Sequence, residues 1–391
     1  MNKPILKHVI VHELIKESGK DFDHSKPYNL RKTELDKNNV IVNKLVEDVI
    51  KLYGSRGNTA HYGVFKTIND KESNPKGIGP IPDKFHKYFS LPNFNSSEFI
   101  DFSNSIMKQL FEEAKGQTWP SGGYIVFTDY ISENIRFLLI TMLKKKGGMS
   151  ISDALEPQEL VHLDLSNINQ AAKINFHLYD KYIKADDSTK SELSYLSFVS
   201  KTKGQSASAY FIAALGCDKG IASSGATRAL PREARNYFKS DERTKRLAES
   251  FRNKVIRYLD EKNESKNPAK LADIADLASA HLTTLAEDER DSLVEGFMKH
   301  LNNEKTRIPS EFVINKPTLD KIKNVSFKDK LYSFNFDKEL LGETSDAMIF
   351  YDQSKGSLVF NNLPAEAKSK IESAIKERKQ ALIKKIDNKL E

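Results

Sequence analysis

The stretch Tyr124–Lys144, YIVFTDYISENIRFLLITMLK, decides the fold. Two apolar runs, 124–130 and 135–144, flank a short polar turn at Ser132-Glu133-Asn134, which predicts a β-hairpin. Both runs are apolar at nearly every position instead of alternating with polar residues. The pair is therefore expected at the centre of a sheet, covered on both faces. Arg136 interrupts the second run, and no apolar run in the chain reaches the length of a bilayer-spanning helix.

Outward from this hairpin, ILKHVIVHELI (5–15) reads as a first strand and Gly57–Phe65 as a short extended piece. Asn38 or Asn39 caps an expected helix through Tyr53, with Val42, Leu45, Val46, Val49 and Leu52 on one stripe and Gly54 as its stop. Prolines 75, 80, 82 and 92 with Gly77 and Gly79 make 69–92 an expected long surface loop. Ser96 or Ser97 opens another helix, with Phe99, Phe102, Ile106, Leu110 and Ala114 at helical spacing. His162–Leu165 reads as a strand, and the alternation of Ile174, Phe176 and Leu178 suggests a further one.

In SYLSFVSKTKGQSASAYFIAALGC (194–217), a β-favouring start passes through a polar bridge at Lys201–Ser206 into a buried helix. Two lysines ahead of a helix N-terminus favour an anion there, whereas the small residues Ser206–Ala209 suit tight packing. Beyond it the chain turns helical. Ser240 is the expected cap of a helix that buries Leu247, Phe251, Val255 and Tyr258 and presents Arg243, Arg246 and Arg257 on a neighbouring face. Helices around 271–282 and 288–301 follow. The chain then returns to strands at 331–336, 348–351 and 357–360, with a turn at Asp352–Gly356. A charged tail helix from Pro364 to Leu390 carries a narrow stripe of Ile371, Ile375, Leu382, Ile386 and Leu390, expected to pack on its own domain, with a partner or self-association helix as the alternative.

Length and charge bound the function. The 391 residues, 29% charged and 39% hydrophobic, describe a soluble globular chain with room for two domains. The expected boundary is Asp186–Thr189, between an N-terminal α+β domain (1–187) and a second part (188–391) of helical basic region, C-terminal β-hairpin and tail helix. The start lacks a secretory signal, and Cys217 is the only cysteine, which points to a reducing cytoplasm without disulfide or cysteine–zinc chemistry. Net charge is +7, and it is local: 201–257 holds thirteen basic side chains against five acidic ones, leaving the remainder at −1. Such concentration is the footprint of a nucleic-acid binder, although a solvated helical surface also carries charge.

Chemical motifs are sparse. No phosphate-binding glycine loop is present, and His8 and His12 share a strand face without an obvious third metal ligand. His162 and Asp164 share another face and, joined by Lys201 and Lys203, would make a metal-dependent nuclease centre if a second carboxylate such as Glu112, Glu113 or Asp180 came near.

TWPSGGYIVFTDY, VHLDLSNIN, the 195–217 stretch, FNFDKELLGE and IFYDQSKGSLVFNNLP together resemble, in order and rough spacing, the bacterial nucleoid-associated proteins of the NdpA (YejK) type. The resemblance implies a cytoplasmic, nucleoid-bound protein that binds DNA and contacts a type II topoisomerase, and it carries over no catalytic residues. The longer 69–92 region, the more basic middle and the extended tail depart from the pattern and leave room for another DNA-acting partner. The expectation is an α+β protein: a mixed sheet with flanking helices, a helical basic middle and a small C-terminal strand-and-helix unit. It binds DNA through phosphate contacts from Lys201, Lys203, Arg228, Arg232, Arg235, Arg243, Lys245, Arg246 and Arg257. No cofactor, metal or membrane is expected, and self-association or a protein-adaptor role through the basic patch are the alternatives to set beside a nuclease.

Overall fold

A computed structural model describes residues 3–16, 20, 25–54, 60–65, 81–90, 95–115, 122–166, 168, 170–200, 211–218 and 223–387. The chain divides into two units, Met1–Leu319 and Asp320–Glu391.

The first unit is built on an eight-stranded sheet. Its strands are β1 (Ile5–Leu14), β2 (Tyr28–Asn29), β3 (His61–Phe65), β4 (Gly123–Ser132), β5 (Ile135–Leu143), β8 (Gln170–Asn175), β9 (Leu196–Ser200) and β10 (Cys217–Asp218), in the order β10-β3-β9-β8-β5-β4-β1-β2. Every pairing in it is antiparallel. The β4–β5 hairpin is central, as its continuous apolar runs require. Glu133 (φ 50) and Asn134 (φ 62) both take left-handed backbone, the conformation that a tight two-residue hairpin loop demands.

Both faces of the hairpin are covered. On one side Ile125, Phe127, Leu138 and Ile140 meet helices α2 (Ile81–Ser90), α3 (Ser96–Ala114) and α4 (Phe176–Lys184). On the other, Val126, Leu139 and Leu143 meet Val49 and Tyr53 of α1 (Val40–Gly54). The Asn39 side chain caps α1 by accepting the Ile41 N–H (2.8 Å), and Asn95 caps α3 by accepting the Ser97 N–H (2.9 Å).

Three local expectations change. Residues 81–90, expected in a loop, form α2: Pro82 sits in the first turn, where a missing N–H costs nothing, and Ile81, Phe85 and Tyr88 fall on one buried face. The strand expected through Leu178 stops at Asn175, whose side chain accepts the Leu178 N–H (3.0 Å) and starts α4 at Phe176. Ser240 closes a helix instead of opening one.

His162 belongs to a projecting two-stranded arm outside the main sheet, β6 (Lys145–Ile151) with β7 (Pro157–Leu163), which leaves Met149, Ile151, Leu155 and Val161 exposed.

After a single turn, α5 (Asp187–Lys190), the chain rejoins the sheet through β9, so the Asp186–Thr189 stretch lies within the first unit. The helical part follows: α6 (Ser223–Ser240), α7 (Ala248–Glu264), α8 (Leu271–His281), α9 (Glu287–Leu301) and α10 (Lys316–Lys323), with the short pair β11 (Ala269–Lys270) and β12 (Glu311–Phe312). Its core is aromatic. Phe238 stacks on Phe251 at 4.1 Å between ring centres, and Phe297 meets both edge-on at 5.6 and 5.7 Å. Arg307 ties the segment after α9 to the sheet, donating to the Leu196 carbonyl (3.1 Å) with its guanidinium over the Tyr62 ring.

The second unit holds a β-ribbon, β13 (Asn324–Lys328) with β14 (Ser333–Asp337), and a three-stranded sheet of β15 (Leu341–Gly342), β16 (Ile349–Asp352) and β17 (Ser357–Phe360). The β16–β17 turn uses Gly356 at φ 59, backbone that favours glycine. The tail helix α11 (Ala365–Asp387) leaves Ile371 and Ile375 about half exposed, so this part of its stripe does not bury against its own unit.

Candidate nucleic-acid interface

Arg228, Arg232, Arg235 and Lys239 recur on α6 at helical spacing, opposite the buried Leu230, Ala234 and Phe238. The apolar face seats the helix and the basic face is left to solvent. Past Ser240 the chain turns through 241–247, where Arg243, Lys245 and Arg246 are exposed, and α7 begins only at Ala248. The expected helical face joining Arg243 and Arg246 to Arg257 is therefore broken: Arg257 lies on α7, while the other two lie in the preceding turn. Thr244 holds that turn, its buried hydroxyl donating to the Phe238 carbonyl (2.7 Å).

Five cations of this face are paired among the described residues. Arg228 meets Glu192 (2.5 Å), Arg232 meets Glu233 (2.9 Å) and Lys245 meets Glu242 (2.9 Å). Arg235 bonds to Glu249, joining α6 to α7. Arg243 bonds to Asp241 (2.7 Å) and reaches Glu289 at the start of α9 (3.2 Å); its hydrogen bond is the main cause that holds the Asp241 carboxyl below its ordinary range. Arg246 is exposed and has no ion pair among the described residues.

The local charge is thus weaker than the sequence window indicates, because Glu192 and Glu289 enter from outside it. Nothing in the sequence marks these two carboxylates as counter-charges. Pairing does not bar phosphate binding: an exposed ion pair is worth about 0–1 kcal/mol, so exchange of a carboxylate for a phosphate is cheap. Lys201 and Lys203 lie outside the described residues.

Among the described residues, those of the nuclease reading form no metal-holding group. His162 is exposed on β7, and Asp164 beyond it accepts the Ser166 N–H (3.0 Å) in a local turn. Glu112 pairs with Lys115, and Asp180 with Lys184 (2.7 Å). Among the described residues there is no group of three or more His, Cys, Asp or Glu side chains that could hold a metal. His12 is buried and bonded to Ser103 (2.9 Å), so it serves the core. No described helix is long and apolar enough to cross a membrane.

The sequence matches the family model described as nucleoid-associated protein YejK over residues 10–368. It is 24% identical over 366 residues to a nucleoid-associated protein of Metapseudomonas resinovorans, covering 94% of this chain and 98% of that one. It is 25% identical over 342 residues to one from Shewanella sp. strain ANA-3, covering 87% and 90%. With one from Shewanella baltica strain OS155 it shares 26% identity over 278 residues, covering 71% and 75%.

Proposed function

This chain belongs to the YejK family of nucleoid-associated proteins, and on that premise we propose that it binds DNA largely without regard to sequence, through phosphate contacts from the basic face of α6 and the 241–247 turn. The observation that carries the reading is the row Arg228, Arg232, Arg235 and Lys239, set on a helix whose opposite side is anchored in an aromatic core. Guanidinium groups on a rigid helix bind phosphate oxygens through fixed donor geometry, and such phosphate contacts carry no base information. Arg243, Lys245, Arg246 and Arg257 extend the surface, and Lys201 and Lys203 belong to the same proposed set.

The reading places the protein in the bacterial cytoplasm at the nucleoid. Its protein partner is a type II topoisomerase, another DNA-acting protein or a second copy of the chain. The exposed apolar residues Met149, Ile151 and Val161 of the projecting arm support such a contact.

A mobility-shift titration of duplex DNA at two salt concentrations tests the DNA reading. Affinity should fall steeply with salt, by about 0.9 logarithmic units per tenfold salt for each phosphate contact. A variant lacking Arg232, Arg235, Arg243 and Arg246 should bind weakly with a flatter slope. Unchanged affinity in that variant would exclude this face as the DNA surface.

A further inference from the structure

We propose that the β13–β14 ribbon is a stacking platform for the unpaired bases of a single-stranded nucleic acid. Opposed residues of an antiparallel pair share a face, so the register Phe327↔Phe334 and Val325↔Phe336 puts three phenylalanines on one side of the ribbon. At the inner end Phe336 is buried and meets Phe360 of β17 edge-on at 5.8 Å, which anchors the ribbon to the three-stranded sheet. From there the rings run outward nearly parallel. Phe334 lies 5.6 Å from Phe336 at 26°, Phe327 5.7 Å from Phe334 at 27°, and Tyr332, at the turn, 5.5 Å from Phe327 at 37°. Exposure rises along the ladder from 8% at Phe336 to 45% at Phe327 and 60% at Tyr332.

A ladder anchored at one end and bare at the other presents π-faces without a partner within its unit. An open recess of about 390 Å³ at the ribbon is lined by Phe327 and Phe334 together with Ser326, Lys328, Ser333 and Asn335. The surrounding charge selects the occupant. Residues 321–338 hold five lysines against two aspartates, and Asp337 is taken by Lys323 (3.5 Å). Lys328 and Lys330 flank the outer rings, exposed and without an ion pair among the described residues. Aromatic rings that accept base faces, beside lysines that accept phosphates, are the elements of sequence-tolerant single-strand binding. A duplex, with its bases already stacked, offers nothing to the rings.

The inference rests on the nucleic-acid reading above but assigns a different strand form to a different surface. The test uses the full chain and fluorescent oligothymidine, oligouridine and a DNA duplex of equal length, followed by anisotropy. The combined variant Phe327→Ala/Tyr332→Ala should lose tenfold or more in single-strand affinity, while duplex affinity stays within twofold. Phe327→Leu/Tyr332→Leu, which keeps the apolar cover but removes the π-faces, should lose as much while melting with the parent. Single-strand binding that both variants lose supports the proposal, and the tighter probe identifies the strand as DNA or RNA. Single-strand affinity equal in parent and both variants overturns it, and retained duplex binding then leaves the phosphate-contact reading intact. Absence of binding to all three probes overturns both.

Discussion

The side-chain oxygen of Asn302 accepts the backbone N–H of Ala60 at 3.0 Å, and its amide nitrogen donates back to the Ala60 carbonyl at 3.0 Å, across 242 residues of chain. The same nitrogen donates to the Ile308 carbonyl (2.6 Å), and the Asn302 carbonyl accepts from the Tyr62 hydroxyl (3.2 Å). One buried amide therefore holds the end of α9 against the start of β3. It joins the helices that carry the basic face to the sheet.

Replacing Asn302 with Ala would leave the Ala60 N–H and the Ile308 carbonyl without this partner in a buried site. The expected loss is on the order of 3 kcal/mol in urea unfolding, from polar groups stranded away from water. Asn302→Asp should cost at least as much at neutral pH, since it turns a carboxylate oxygen toward two carbonyls.

Asp129 is fully buried in the central hairpin and is satisfied by Arg136 (2.5 Å) and the Tyr88 hydroxyl, while the Arg136 guanidinium lies 4.0 Å over the Phe176 ring. Burial, followed by the charge of Asp129, pushes the Tyr88 hydroxyl well above its ordinary range, so it stays a donor at every physiological pH. Arg136→Met should destabilise by about 3–5 kcal/mol, because a buried carboxylate loses its counter-charge. Tyr88→Phe, which removes one donor and keeps the ring, should cost about 1–3 kcal/mol. Thermal melts of the two variants give the order.

His12 should make stability pH-dependent. Its Nδ1 accepts the Arg31 N–H (3.1 Å), so the neutral ring carries its proton on Nε2 and donates to Ser103, which in turn donates to the Ile100 carbonyl (2.9 Å). Burial lowers its pKa from 6.5 to about 4. Below pH 6.5 the unfolded chain takes up a proton that the folded chain refuses. The contribution is whole above pH 6.5 and is lost as pH falls toward about 4, with a slope of up to about 1.4 kcal/mol per pH unit. Burial also lowers the pKa of His281, which adds the same sign. The difference between the parent and His12→Gln across pH 4–7 isolates His12, and parallel curves would refute this role.

Removing the counter-charges should strengthen DNA binding. Glu249→Gln with Glu289→Gln releases Arg235 wholly and Arg243 in part and adds two units of positive charge to the proposed surface. Duplex affinity should rise about three- to tenfold at low salt, with a steeper salt slope. Unchanged or weaker binding in a variant that keeps the parent's helical content would count against the α6 face.

The sequence by itself determined what depends on neighbours in the chain. The β4–β5 hairpin, the buried stripe of α3, the cap at Asn39 and the turn at Gly356 were legible, because backbone periodicity and turn conformation are local properties. The α+β class followed from them. Tertiary structure alone decided the rest. Residues 81–90 become a helix because the sheet offers a face for Phe85 and Tyr88, which outweighs the surrounding prolines. The charges of the α6 face are offset by Glu192, Glu249 and Glu289, which chain reversals bring to it, and no count along the sequence sees such pairs. Tyr332 falls in the strand expected at 331–336 and Phe327 in no expected element, and their open ladder is not legible because alternation says which residues share a face and not whether that face is covered. Burial is a property of the assembled fold.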